Sequence, residues 1–281
     1  MSEVINNNLN QQVYTIHNSD TLLNQVDKVI CVLLPRGVLI AGFSDRGDLL
    51  MIRHSDYKRD LPIWILDFFE HQFINEPLLT DSTKVTSVFI ASDKSFIVPD
   101  ALYSEETAQE WLKKLYYIEI NETIATYPLR DDKAVFVYAW ASAIESLVNR
   151  YFTKAKFFPL PAYQLQKPKT NNATITACIT TDAVFATLYD NKTLYWNQYF
   201  HYETAEDIAY QIKLLCAQNE IDVNTLELHC SVTSRNVGKI VSDLTQYFPD
   251  LKSGIENIHG GENEYNWSGT LNLLQQLYAC A

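Results

Sequence analysis

Residues 28–54 read KVICVLLPRGVLIAGFSDRGDLLMIRH, and this stretch decides the fold. Its apolar runs, 29–35 and 38–44, meet across Arg36-Gly37. A third run, 49–54, follows Asp45-Arg46-Gly47-Asp48. Gly, Asp and Arg between short β-rich runs are hairpin chemistry, so the segment predicts an antiparallel meander of buried strands. Downstream, Asp60 and Pro62 open a helix over 61–74 carrying Trp64, Ile65, Phe68, Phe69 and Phe73. A strand over 85–90 and a helix begun by Ser104-Glu105-Glu106-Thr107 complete the order βββαβα.

The same order returns. Runs 173–180, 184–189 and 194–202 are strand-like, with turns at Thr181-Asp182 and Asp190-Asn191-Lys192. Thr204 starts a helix that places Ile208, Ile212, Leu215 and Cys216 on one face; a strand over 225–232 and a helix over 236–248 follow. A displacement of 145 residues lays Leu33-Leu34 over Cys178-Ile179 and residues 38–41 over 183–186. Between the units, a strand over 134–138 and a helix over 139–152 close the first copy, and a short helix over about 270–280 ends the chain. Six elements recurring in one order and at similar lengths point to internal duplication. The sequence therefore divides into a polar segment 1–27, a first subdomain 28–165 and a second 166–281, the join lying in the polar stretch 164–172.

Composition limits the function. The 22 basic residues against 34 acidic ones leave a net charge of −12, which opposes a broad nucleic-acid or anionic-membrane surface. No apolar run approaches the ~20 residues that cross a bilayer, so membrane insertion is not expected. The first ~25 residues lack the basic start and apolar core of a signal peptide. Together with five scattered cysteines and no C-x-x-C pair, this predicts a cytoplasmic protein with reduced, buried thiols.

A meander followed by αβα, present twice, resembles the actin-like ATPase and ribonuclease-H-like superfamily. More closely, SFIVPDAL (95–102), AVFVYAWASAIESLVNRYFTKAKFF (134–158) and LYWNQYFHYETAEDIAYQI (194–212) resemble a Bacteroidetes family of unknown function assigned that fold. The resemblance implies a duplicated α/β architecture. It carries no reaction, because these stretches are core and strand-end residues.

In the superfamily, ATP sits between the halves, held by an Asp-x-Gly turn in each first hairpin and by a glycine-rich loop near the end. The first hairpin here offers Leu34-Pro35-Arg36-Gly37, without a carboxylate and with a proline that has no N–H to donate. Arg36 can grip an anion or stay solvated. The second hairpin keeps Thr181 and Asp182, the latter the best metal candidate or else an ordinary turn aspartate. Gly260 and Gly261 would then complete a nucleotide site, or simply form a loop. Two-metal nuclease chemistry has Asp182 and Glu227 as possible neighbours but lacks a third acid. Asp131-Asp132 reads as a solvated turn, and the six histidines have no metal-ligand spacing.

The aromatic strand Tyr195, Trp196, Tyr199, Phe200 should form a sheet edge able to pair with a partner protein or a second copy, unless its own helices cover it. Helix 61–74, apolar beyond one stripe through Ile63 and Leu66, is expected between the two halves or at a docking face. The expected function is a non-catalytic interaction or scaffold protein with a degenerate actin-like fold and no cofactor. The alternatives are a divergent ATPase or kinase-like enzyme using ATP and Mg²⁺ at Thr181, Asp182, Gly260 and Gly261, and a ribonuclease-H-like nuclease.

Overall fold

The computed structural model describes residues 4–6, 11–16, 20–57, 65–166, 168, 171–234, 237–252 and 268–280. In chain order these form β1 (Val4–Asn6), β2 (Gln11–Ile16), α1 (Asp20–Leu23), β3 (Lys28–Leu34), β4 (Gly37–Phe43), β5 (Leu49–Tyr57), α2 (Ile65–Asn75), β6 (Val85–Ile90), β7 (Ser95–Pro99), α3 (Glu105–Leu115) and β8 (Glu122–Leu129). They continue with β9 (Ala134–Ala141), α4 (Ser142–Tyr151), β10 (Lys156–Pro159), β11 (Thr174–Ile179), β12 (Ala183–Asp190), β13 (Thr193–His201), α5 (Ala205–Gln218), β14 (Glu227–Val232), α6 (Gly238–Leu244) and α7 (Ser268–Cys280).

The meander β3–β4–β5 forms as its sequence dictates, and β6 adds parallel to β3. The first sheet runs β1-β2-β5-β4-β3-β6-β10 and the second β13-β12-β11-β14. In both, a meander is followed by a helix and a parallel strand. Strands β3 and β4 of the first meander alternate between two cores. Cys31, Leu33, Val38 and Ile40 face a core with Phe68, Phe69 and Phe73 of α2 and Leu147 and Val148 of α4. Ile30, Val32, Leu34, Leu39 and Ala41 face the opposite way, into a cluster with Cys178 and Phe185 of the second sheet and Leu273, Leu274 and Leu277 of α7. This shared layer joins the two halves and buries β3 and β4 on both faces. In the second half Ile175, Ala177, Val184 and Ala186 pack under α5 and α6, with Ile208, Ile212, Val241 and Leu244. Helix α5 starts at a capping box in which Thr204 and Asp207 satisfy each other's backbone amides.

The duplication has a different offset from the one read in the sequence. Leu34 pairs with Gly37, and Thr180 N–H donates to Ala183 O, so both hairpins close over two residues, 35–36 and 181–182. The copies are related by 146 residues at this turn. Leu33 lies over Ile179, both facing helices, and Val32 over Cys178, both in the shared layer. The offset of 145 sets opposite faces over one another, because a one-residue slip in a strand inverts every side chain.

Two further expectations are corrected. Helix α3, capped by Ser104, is not the second repeat helix: with β7, β8 and β9 it forms a separate unit on a three-stranded sheet ordered β7-β9-β8. The counterpart of α6 is α4, which packs on α2 as α6 packs on α5. Helix α2 lies outside the inter-half layer, between the first sheet and α4; residues 61–64 of the helix expected there, including Ile63, lie outside the described residues. The polar segment before residue 27 contributes β1 and β2, which extend the first sheet along β5.

Candidate functional site

The two equivalent hairpin turns point at each other. Arg36, the tip of the first, places Nε 3.3 Å from Oδ2 of Asp182, the tip of the second. Positions 36 and 182 are related by the 146-residue offset, so the pair is a contact between symmetry-equivalent residues of opposite charge. The first turn is held by Arg36 O, which accepts the Tyr57 N–H at 2.8 Å. Its Gly37 is required by space: a Cβ there would stand 2.7 Å from Ser55 O. On the shared-layer side of β5, His54 Nε2 lies 3.3 Å from Asp56 Oδ1, and both residues are buried. Burial pushes the His54 pKa down, against the pull of Asp56, which favours the neutral ring. The alternation His54-x-Asp56 on one strand was the sequence signal for this couple.

The second turn is held more tightly. Thr180 Oγ accepts the Ala183 N–H at 3.1 Å and donates to Ala183 O at 3.0 Å. Tyr202 OH donates to Thr180 O at 2.6 Å, and Asp182 O lies 3.2 Å from His201 Nδ1. Tyr199 OH sits 3.3 Å from His201 Nε2. Burial, and then the Asp182 charge, raise the pKa of both Tyr199 and Tyr202. The expected pair Thr181 and Asp182 thus stands together at this turn, whereas Gly260 and Gly261 lie outside the described residues.

A metal-bound triphosphate needs uncommitted carboxylates and backbone amides. The two turns offer one carboxylate, already paired with a guanidinium, and a Thr180 hydroxyl spent on its own loop. They do not suit that group. Asp182 and Glu227 are not neighbours: Glu227 opens β14 beside Thr174, while Val232 at the other end of β14 pairs with Ile179 next to the turn. Those five steps along the strand are roughly 17 Å. Glu227 is instead bonded to Lys252 and Asn172. Among the described residues no group of three His, Cys, Asp or Glu is placed to hold a metal ion, and no helix is long and apolar enough to cross a membrane.

The four aromatic residues of β13 separate by face. Trp196 and Phe200 turn toward the α5 core. Tyr199 packs on Phe185 at 5.0 Å in the shared layer, and Tyr195 is exposed. The strand is a sheet edge, as expected, and passes beside β7. Between them lies a groove of about 670 Å³, lined by Ser95, Ile97, Pro99, Tyr116, Asp132 and residues 193–199. Asp132 is no simple solvated turn: it accepts the Tyr189 hydroxyl at 3.1 Å, tying the three-stranded unit to the second sheet. The sequence reading missed this groove because β7 belongs to the unanticipated unit.

Residues 34–251 match a family described as protein of unknown function (DUF3822). A protein of Bacteroides thetaiotaomicron with actin-like ATPase fold and unknown function superposes with a TM-score of 0.73 at 16% identity, over 94% of this chain and 100% of that one. A PilM–PilN type IV pilus biogenesis complex does so at 0.56 and 11% identity, over 90% and 99%. At such identities the likeness is one of fold. No curated protein matches the sequence.

Proposed function

The chain belongs to the DUF3822 family of proteins of unknown function and has the actin-like ATPase fold; from that premise we propose that it is a non-catalytic binding protein. The observation that carries this reading is the Arg36–Asp182 pair. In a fold whose two hairpin turns approach from opposite sides, opposite charges at the tips satisfy each other, and the one carboxylate at a tip, Asp182, is engaged by a guanidinium rather than open to a metal. The PilM–PilN complex, of the same fold, supports a docking use of the architecture.

A second reading, nucleotide binding, is favoured by one observation. The hydroxyls of Thr233, just past β14, and Thr270, in the first turn of α7, are fully buried and have no hydrogen-bond partner among the described residues. Gly269 brings α7 against Val232 at the end of β14. A nucleotide reaching these hydroxyls would satisfy them. Calorimetry and thermal unfolding with ATP, ADP and Mg²⁺ decide between the readings. A ligand present at 100 times its Kd stabilises by about 2.7 kcal/mol. The binding-protein reading expects no heat of binding and no shift in Tm at millimolar nucleotide; a saturable shift refutes it.

A further inference from the structure

The duplication is broken at one place. Residues 233–237 join β14 to α6, whereas residues 91–141 separate β6 from α4 and hold the unit of β7, α3, β8 and β9. Among the described residues, four of the eight large apolar side chains left exposed, Leu102, Leu115, Tyr117 and Ile120, lie in that stretch, a concentration that marks a contact surface. We infer that an acidic amphipathic helix of a partner protein docks beside α3, over the uncovered face of β8. The inference rests on the binding-protein reading and supplies its partner class.

Helix width and strand spacing explain why β8 is left uncovered. A helix with its side chains is about 10–12 Å across and strands stand about 4.8 Å apart, so one helix roofs two strands of the β7-β9-β8 sheet. Helix α3 lies over β7 and β9. Beneath it Val98 and its partner Val135 are 1% and 9% exposed, whereas Pro128, next in that row, is exposed; Val137 is buried and its partner Thr126 exposed. Thr126 and Pro128 share a face with Ile124, which packs at the margin of the α3 cluster. Tyr116 OH donates to Ser95 O of β7 at 2.9 Å, so the flank of α3 turned toward β8 is the opposite one, with Trp111 and Leu115. The result is a strip floored by Ile124, Thr126 and Pro128 and walled by Trp111 and Leu115. Residues 124–128 of β8 span about 14 Å, the length of about nine helical residues.

Charge selects the guest's sign. The exposed Lys114 stands on the outer side of the α3 flank toward β8, and the exposed Arg130 follows β8 at the far end of the strip. Of the neighbouring acids, Glu122 is bonded to Lys94 at 2.7 Å, Glu106 and Glu110 fall on the other or the outer side of α3, and Asp132 holds Tyr189 of the second sheet. Glu119 stays exposed at the loop end, one acid against two cations. A helix with acids flanking its apolar stripe meets that frame. The described helix of this chain most like such a guest is α5, where exposed Tyr210 and Leu214 follow Glu206. A second copy docking through it sets −12 against −12 and is the competing outcome.

A display library of helical peptides about four turns long, randomised on both faces, is panned on the full chain and counter-panned on Leu115→Asp. Enriched peptides are measured by fluorescence anisotropy and by shifts of amide and indole resonances, and sedimentation with phosphatidylserine vesicles runs in parallel. Enrichment of helices whose apolar stripe is flanked by Asp or Glu, with shifts at Trp111, Ile124 and Thr126, supports the inference. Leu115→Asp should weaken the selected helix about tenfold or more. Lys114→Glu should weaken it several-fold and flatten its salt dependence. Circular dichroism checks the folding of both variants, and Thr126→Glu repeats the test where either fails. No enrichment, a basic or uncharged consensus, shifts on another surface, a dimer lost in Tyr210→Glu, or vesicle binding that Leu115→Asp abolishes overturns it. Helices captured at another surface would leave the binding-protein reading standing without this site. ATP binding alongside an intact helix response would retire the non-catalytic reading and leave the site.

Discussion

The pairing of Arg36 with Asp182 predicts a measurable coupling between the two halves. At 3.3 Å, two unit charges interact by roughly 1.3 kcal/mol in water and roughly 5 kcal/mol at an effective dielectric of ~20. The side chains are 51% and 29% exposed, so the pair sits near the wet limit and also costs side-chain entropy. The expected coupling is ~0.5–1 kcal/mol. The assay is a double-mutant cycle of Arg36→Gln, Asp182→Asn and the double variant, by urea unfolding at low and high salt. Raising NaCl from ~0.1 to ~1 M shortens the screening length from about 10 to about 3 Å, which should at least halve the coupling. Zero coupling at low salt would mean that Asp182 is free to serve a ligand. A coupling above ~2 kcal/mol that ignores salt would mean a closed, dry pair. Either result refutes the reasoning from a half-exposed contact.

Leu274→Ala should cost ~2–5 kcal/mol and still unfold in one transition, because its cluster contains residues of both sheets; two separated transitions by calorimetry would refute the shared layer. Gly37→Ala should cost ~1–3 kcal/mol in urea unfolding, since its Cβ would meet the Ser55 backbone oxygen at 2.7 Å; an unchanged midpoint would refute that packing. Hydrogen bonds from Lys252 and then Asn172 hold the Glu227 carboxyl down at about 2. Its folded pKa is depressed, so its contribution is present above the usual carboxylate range and is lost as pH falls toward 2. Glu227→Gln should therefore be ~0.5 kcal/mol less stable at pH 7 and equal to the parent near pH 2, by chemical unfolding across that range; a difference that persists at pH 2 would exclude the ionic cause.

Fold class was legible from the sequence because hairpin chemistry is local: Arg36-Gly37 and Thr181-Asp182 mark turns whatever packs around them. Register was not. Strands buried on both faces carry no polar alternation, so nothing in VICVLL or TITACI says which residues face the helices, and only the turn length in space fixed the offset. The three-stranded unit was hidden for related reasons. β9 is apolar on both sides because it is sandwiched between α3 and the first core. β8 is an edge with mixed exposure and a proline at 128. Helix α2 was placed between the halves on the strength of its broad apolar surface, yet three phenylalanines under a sheet and a neighbouring helix account for that surface equally well.

The site depended on the same one-residue distinction. At an offset of 145, Arg36 falls over Thr181 and the two turns have nothing to say to each other. At 146 it falls over Asp182, and a duplicated fold whose first hairpins face one another then brings a cation and an anion together. Two like residues at these equivalent tips would hold the turns apart or require an ion between them; two unlike charges need nothing else. The substitution that distinguishes the readings is therefore a reversal. Arg36→Asp with Asp182→Arg restores opposite charge across the cleft, and if the contact is only a latch between halves the exchanged pair should recover the stability lost by either single change. Failure to recover, with the fold intact by circular dichroism, would mean that Asp182 has a role the latch does not describe.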